Sequence, residues 1–420
     1  MDFVNKQRKE TIQLKTKTII MLLIVFPMYV LAQFDYGYES FSPNTVDTRS
    51  ISMGRTSIVS ATGSNSIFSN PGIIATLDSR QGQAGGRMIM GTVEDEWAED
   101  YYYSYDSKLT PHFSINHISV SIPYKITGSD MNLAVGIGYR TYFDWGMSKE
   151  TVIEYDYENW NIDKITSEST QNGGLNVITP TIAINLQNKY FVGATFNKSI
   201  SGTIEYELQL NYEDSGSDYK DEIEIEHSAS FLNFGGLAKV NEQLTLGFSF
   251  TPAFEWEWDE IKYTEDGERY TDDGVDIEIP SVMGIGATYQ FSPTLLIAGE
   301  YQNRKFSDIE LGNESTGIDD GVCYRIGAEF QGLALLRIGC FSDAVLAVDY
   351  DDDDPKSLTG FTGGIGYELG SIYLDAYAEY SSITTKNENY DYDDEEEINY
   401  VYDDSMKMFK FGLSVNYKFK

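Results

Sequence analysis

From Phe409 to the end of the chain, apolar and polar residues alternate without a break. Phe409, Phe411, Leu413, Val415, Tyr417 and Phe419 stand against Lys410, Gly412, Ser414, Asn416, Lys418 and Lys420. A period of two is a β-strand with one apolar and one polar face. The same alternation runs through Leu133, Val135, Ile137 and Tyr139, ending at Arg140 on the polar side. It returns in Leu244, Leu246, Phe248 and Phe250, and in Ile372, Leu374, Ala376, Ala378 and Tyr380. The polar faces carry Arg140, Glu300, Arg325, Glu329, Arg337, Glu368, Asp375, Glu379 and Lys410. Unpaired charge is severely destabilising in a dry core, whereas a wet or ion-paired lumen accommodates it. In a soluble sandwich the apolar face would be the core; here it is read as facing lipid.

Fourteen such strands are predicted, at about 83–92, 111–123, 131–143, 174–186, 189–200, 225–238, 243–254, 279–291, 294–306, 321–331, 333–342, 359–369, 371–382 and 406–419. Short turns alternate with seven long segments at 93–110, 144–172, 201–224, 255–277, 306–320, 343–358 and 383–405. An even strand number, short turns on one rim and long loops on the other describe an all-β, 14-stranded antiparallel transmembrane β-barrel of the bacterial outer membrane. Tyrosines at strand ends, among them Tyr101 to Tyr103, Tyr139, Tyr142, Tyr289, Tyr301, Tyr367, Tyr380 and Tyr417, are expected at the membrane–water boundary.

Charge sharpens this picture. Among 420 residues, 66 are acidic and 30 basic, a net charge of −36 that argues against nucleic acid as a partner. The seven long segments hold 51 of the acidic and 8 of the basic residues, so the negative charge is gathered at one end. Solvated, mobile loops that attract divalent cations loosely are expected there. The run Asp349 to Pro355 is no EF-hand, because Asp354 replaces the required Gly and Gly360 the required Glu.

Residues 1–32 read as a secretory signal: Lys6, Arg8, Lys9, Lys15 and Lys17 precede an apolar run from Ile19 to Leu31, with cleavage after Ala32. That run is shorter than the roughly 20 residues a spanning helix needs. Cys323 is placed facing inward and Cys340 outward, which forbids a disulfide in this register, while a shift of one residue would allow it. No enzyme signature is present: His112, His117 and His227 lack HExxH spacing, no G-x-S-x-G occurs, and Gly284-Ile285-Gly286 lacks the third glycine of a dinucleotide loop. Asn116-His117 beside loop carboxylates is the one arrangement compatible with catalysis at a barrel rim, without an identifiable nucleophile–base spacing. No metal site and no cofactor are expected.

One stretch fits neither leader nor strand: Asp47 to Gly72, rich in Ser, Gly and Ala and stopped by Asn70-Pro71-Gly72. Small, polar and sharply terminated, it reads as a plug. Arg49, Met53-Gly54, Ile67-Phe68 and Asn70-Pro71-Gly72 in this order resemble the N-terminal hatch of the FadL/TodX-type outer-membrane transporters of hydrophobic compounds. In this chain Gly72 stands where an Ala is usual. A second match runs over Tyr324–Phe330, Leu336–Gly339, Thr362–Tyr367 and Asp375–Tyr380.

The resemblance implies a signal peptide at 1–32, a hatch at 33–80 and a barrel at 81–420. It implies passive uptake of a hydrophobic small molecule, a long-chain fatty acid or hydrocarbon, with sideways release through the wall into outer-membrane lipid. Arg140, Arg325 and Arg337 are the candidates to hold an acid headgroup, since Arg binds carboxylate bidentately; the competing reading pairs them with Glu329, Glu368 and Glu379. Segments 201–224 and 255–277, the outer capture site by family analogy, carry 18 acidic residues, which repel an anion. A neutral hydrocarbon or a cation-bridged acid fits that charge better. So does the alternative function, a barrel that anchors or shuttles secreted proteins for a dedicated secretion system.

Overall fold

The computed structural model describes residue 45 and residues 47–95, 103–126, 131–155, 164–200, 202–212, 219–265, 268–312, 314–393 and 396–419. The signal at 1–32, the beginning of the expected hatch, and Tyr101 and Tyr102 lie outside the described residues. No described helix is long and apolar enough to cross a membrane, which leaves crossing by strands open.

The described chain is β-sheet apart from its start. A short helix α1 (Thr48–Ser52) and 3-10 turns at Ser64–Phe68 and Pro71–Thr76 come first. Then follow β1 (Gln81–Asp95), β2 (Tyr103–Lys125), β3 (Met131–Asp144), β4 (Met147–Tyr155), β5 (Lys164–Ile178) and β6 (Thr181–Leu186). Next are β7 (Tyr190–Ser199), β8 (Gly202–Tyr212), β9 (Tyr219–Lys239), β10 (Leu244–Thr251), β11 (Phe254–Glu265) and β12 (Glu268–Asp273). β13 (Ile277–Ile279), β14 (Val282–Ser292), β15 (Leu295–Arg304), β16 (Glu310–Leu311) and β17 (Glu314–Ser315) lead to β18 (Gly321–Gln331) and β19 (Leu335–Ala344). β20 (Ser357–Leu369), β21 (Ile372–Asp393) and β22 (Glu396–Lys418) finish the sheet. Every pairing is antiparallel, and the ring closes where β22 meets β1, from Gln81↔Lys418 to Asp95↔Asp404.

The sheet thus has twenty-two segments rather than fourteen continuous strands. Breaks fall at Trp145-Gly146, Thr179-Pro180, Pro252-Ala253 and Pro280-Ser281. Three of these four breaks hold a proline, which has no N–H to give the ladder, whereas β2 runs on through Pro111 and Pro123. A second correction concerns the long acidic segments, most of which continue the wall as strand pairs instead of looping. β22 alone has 23 residues, a path of roughly 75 Å, against an apolar band of about 25 Å in such barrels. The wall therefore stands well above the membrane.

Within the band the faces are as the alternation requires. Phe113, Ile137, Phe248, Ile285, Ile338 and Phe411 are exposed outward. Tyr124, Tyr190, Tyr289, Tyr367 and Tyr417 ring the short-turn rim. Above the band the wall turns over. Phe248 and Phe250 point out, but Phe254, Trp256 and Trp258 on the same wall are buried, while Glu255 and Glu257 are exposed. Met283 and Ile285 point out, whereas Ile277 and Ile279 are buried. Outside the membrane the apolar residues thus pack inward and the carboxylates face water. Tyr142, expected in the interfacial girdle, is buried in this inner cluster with Phe143, Trp145 and Phe231. Cys323 is buried and Cys340 half-buried, and both are free thiols.

Candidate functional site

The segment from Asp47 to Leu77 packs against the inward face of the sheet, seated in notches cut by glycines. Gly327 and Gly339 are register partners on β18 and β19. A Cβ on Gly327 would stand 2.2 Å from the Met53 carbonyl oxygen, and one on Gly339 2.0 Å from the Gly54 nitrogen. Gly54 and Arg55 themselves take left-handed φ of 69° and 64°, turning the chain sharply at this contact. Gly193 and Gly235, partners on β7 and β9, form a second notch. There a Cβ would lie 2.7 Å from the Pro71 carbonyl carbon and 2.3 Å from Asn70 Oδ1. Asn70 also donates from Nδ2 to the carbonyls of Ile58 (2.7 Å) and Gly236 (3.0 Å). Phe68 and Ile67 fill the space that Gly138 leaves, which explains why the inward positions of that strand are small.

Two arginines fasten this segment. Arg49 reaches Glu329 through Nε (2.8 Å) and a terminal nitrogen (3.0 Å). Glu329 also holds Arg337 Nε (2.7 Å), and Arg337 continues to Asp375 (2.6 Å). Arg55 pairs with Glu379 (2.6 Å) and Asp343 (3.1 Å) and stacks on Phe341. Arg325 bridges Asp343 (2.7 Å) and Glu300 (3.2 Å), and Glu300 accepts the Ile58 N–H (2.8 Å). Asp47 caps α1 by accepting from Ser50 N (2.9 Å) and binds Asn65 Nδ2 (2.9 Å). Burial pushes the Asp47 carboxyl above its usual range, because the charged form loses its water.

Of the three arginines that the sequence singled out, Arg325 and Arg337 are thus fully engaged with carboxylates. They meet Glu300, Asp343, Glu329 and Asp375; Glu379 instead holds Arg55, and Glu368 lies exposed beside Tyr373. Arg140 differs. It is 3% exposed, its Nε has no partner, and its guanidinium lies over the rings of Tyr142 (4.5 Å) and Phe68 (5.4 Å). Arg304, at the end of β15, resembles it: 4% exposed, with an unpartnered Nε. Both line a cavity of about 60 Å³ with Tyr142, Asn233, Ser249 and Thr251. A neighbouring cavity, also of about 60 Å³, shares Thr45, Arg304 and Arg325 and reaches Arg87, Asp144 and Met408. Both cavities thus lie between the N-terminal segment and the apolar clusters of the outer lumen, whose members Tyr142, Val345, Met406 and Met408 line them.

Strand parity alone would have found Arg304, four residues along from the inward Glu300. Asp343 lies one residue beyond the strand end drawn from the sequence, and Arg55 repeats Arg49 six residues later in the segment read as plug.

The wall beside these cavities is incomplete. β2 pairs with β3 from His117↔Arg140 to Lys125↔Asn132, and with β4 from Tyr103↔Tyr155 to Leu109↔Lys149. Residues 110–116 of β2 have no register partner on that side, while β3 runs on along β5 to Asp144. The strip is bridged by Thr110 Oγ1 donating to the Ser148 carbonyl (3.2 Å). The His112 ring lies close against Gly146. On the inner side Asp144 holds Arg87 at 2.6 Å.

A closed antiparallel barrel, greasy within the membrane band, charged inside and occupied at its short-turn end by its own N-terminal segment, is of the outer-membrane type. Among solved structures, the chain is similar to a Pseudomonas aeruginosa FadL homologue, with a TM-score of 0.59 and 13% identity over 89% of this chain and 98% of that one. The Ralstonia pickettii toluene transporter TbuX aligns with a TM-score of 0.55, 13% identity, and 90% and 100% of the two chains. The Pseudomonas putida toluene transporter TodX aligns with a TM-score of 0.54, 12% identity, and 89% and 98%. The fold is therefore that of the FadL/TodX-type transporters, as the hatch resemblance implied. No family model and no curated protein sequence matches the chain.

Proposed function

We propose that the protein is an outer-membrane channel for passive uptake of hydrophobic compounds. On this reading residues 1–32 direct export, 33–80 form the hatch, and 81–420 form the barrel. Segments that share one wall crossing, such as β3 with β4 or β10 with β11, then count once, which gives fourteen crossings. The FadL homologue and the two toluene transporters, which share its fold, support this reading. The observation that carries it is the cavity beside Arg140, set between an apolar outer lumen and the N-terminal segment and next to an unpaired strip of wall.

A ligand meets aromatic surface first, then the guanidiniums of Arg140 and Arg304, and leaves sideways into lipid between β2 and β3 because the hatch fills the way below. The pair favours a hydrocarbon chain or ring that ends in an acid group. Arg325 and Arg337 keep their carboxylates and hold the hatch and wall together. Divalent cations gather at the outward carboxylates above the membrane, where they weaken repulsion of an acidic ligand.

The exit is tested by stapling it. In a Cys323→Ser/Cys340→Ser background, Thr110→Cys with Ser148→Cys joined by a cleavable crosslinker is expected to slow transfer of a fluorescent fatty acid into proteoliposomes at least tenfold. Reduction is expected to restore it. Transfer that ignores the crosslink would sink the proposed exit.

A further inference from the structure

The ring is interrupted again where Pro252-Ala253 and Pro280-Ser281 stand side by side. Below this point Phe250 pairs with Phe234 of β9 and Thr251 with Val282 of β14. Above it Trp256 pairs with Ala229 and Phe254 with Ile279. Pro252 and Ala253 have no register partner on either side. Residues 230–233 of β9 have none on the side facing β10 and β11. Two prolines at one height remove two donors, so this ladder cannot close by a small shift. Both strands also reverse their pleat here, Phe250 facing out and Phe254 in, Met283 out and Ile279 in.

What flanks the break points to a use. Inside lies the cavity of Arg140 and Arg304, lined at this spot by Asn233, Ser249, Thr251 and Val282. Outside, Leu232, Phe250 and Met283 are exposed at the upper edge of the apolar band. The break thus stands between the apolar band and two guanidiniums: Arg140, which meets no carboxylate, and Arg304, which is near Asp343 and Cys323. Backbone left unpaired beside lipid is costly unless another group satisfies it.

We propose that this twin-proline break is a second, lipid-facing portal, through which a single-chain anionic amphiphile in the outer leaflet presents its head to Arg140 and Arg304. This rests on the uptake reading above and adds a source: ligand drawn from the membrane itself. Such a route bypasses the acidic exterior, whose repulsion falls on an anion arriving from water. The chain stays in lipid until the head is bound, and the unpaired N–H groups at the break lie along its path.

The test joins Ala253→Cys to Ser281→Cys with a short cleavable crosslinker in the Cys323→Ser/Cys340→Ser background, with Ala253→Trp as an independent block. Barrel formation is checked by heat-modifiable migration. The probe is a brominated long-chain alkyl phosphate preloaded in vesicle lipid, read as quenching of the buried tryptophans; brominated octanoate supplied from water is the parallel arm. The crosslink and Ala253→Trp are each expected to slow lipid-supplied quenching at least tenfold, with the water-supplied rate unchanged within twofold and reversal of the crosslink on reduction. Lipid-supplied quenching that is unaffected by a complete crosslink, or an equal fall in both arms, overturns the portal. Absence of saturable quenching in both arms of the unmodified protein overturns the uptake reading itself.

Discussion

At the scale of single residues, buried arginines divide by whether a carboxylate meets them. Arg337 sits between Glu329 and Asp375, and removing it takes from Glu329 one of its two arginines, leaving Arg49 and the Gln331 amide. Breaking a buried pair costs about 3–5 kcal/mol, so Arg337→Ala should lower the denaturant midpoint in detergent sharply. Arg140 makes no such pair, and its loss should act on the ligand instead. Hydrogen bonds to a charged group contribute about 1.5–3 kcal/mol, so Arg140→Ala should weaken binding of a fatty acid roughly 10- to 100-fold with unchanged unfolding. A neutral hydrocarbon of equal length should bind the variant as before; an equal loss for both would show that Arg140 shapes the cavity without reading charge. Asp47 offers a pH test. Its carboxyl is raised in the folded protein, so its contribution is present below the usual carboxylate range and is lost as pH rises through the raised folded value. Asp47→Asn keeps a good helix cap and should remove that part of the pH dependence of unfolding. Inward charge was legible because parity places it. Which charges pair was not legible, since Glu329 and Arg49 are 280 positions apart in the chain.

At the scale of elements, glycines do what the alternation alone does not reveal. Gly327 and Gly339 read from the sequence as small inward residues of adjacent strands, and only the register shows them as one notch around Met53-Gly54. Gly339→Val places side-chain atoms where the Met53-Gly54 backbone lies. We expect it to loosen the N-terminal segment and raise single-channel conductance in planar bilayers, while Gly370→Ala at an open turn leaves conductance unchanged. Equal conductance in both variants would mean that the segment is held by its arginines alone. The strands within the membrane were legible throughout, because lipid on one side and water on the other enforce a strict period. The strands above it were hidden. There Trp256, Trp258 and Ile277 lie among so many carboxylates that the stretch reads as a polar loop, and the parity change at the prolines breaks the pattern that would have exposed it.

At the scale of the molecule, the wall has three levels: a lipid-facing band with the N-terminal segment packed on its inner face, a charged layer with cavities, and an outer rise that is aromatic inside and acidic outside. The net charge of −36 lies mostly on that rise. Screening length falls from about 30 Å at 0.01 M salt to about 8 Å at 0.15 M, so salt should speed uptake of an anion supplied from water severalfold and leave a neutral hydrocarbon unaffected. The central claim is that hydrophobic molecules cross through this lumen past Arg140. Transfer of a fluorescent long-chain fatty acid into proteoliposomes tests it most directly. Purified protein should accelerate transfer over protein-free vesicles with saturation, and Arg140→Ala with Arg304→Ala should abolish the saturable part. Transfer no faster than through lipid alone would contradict the account.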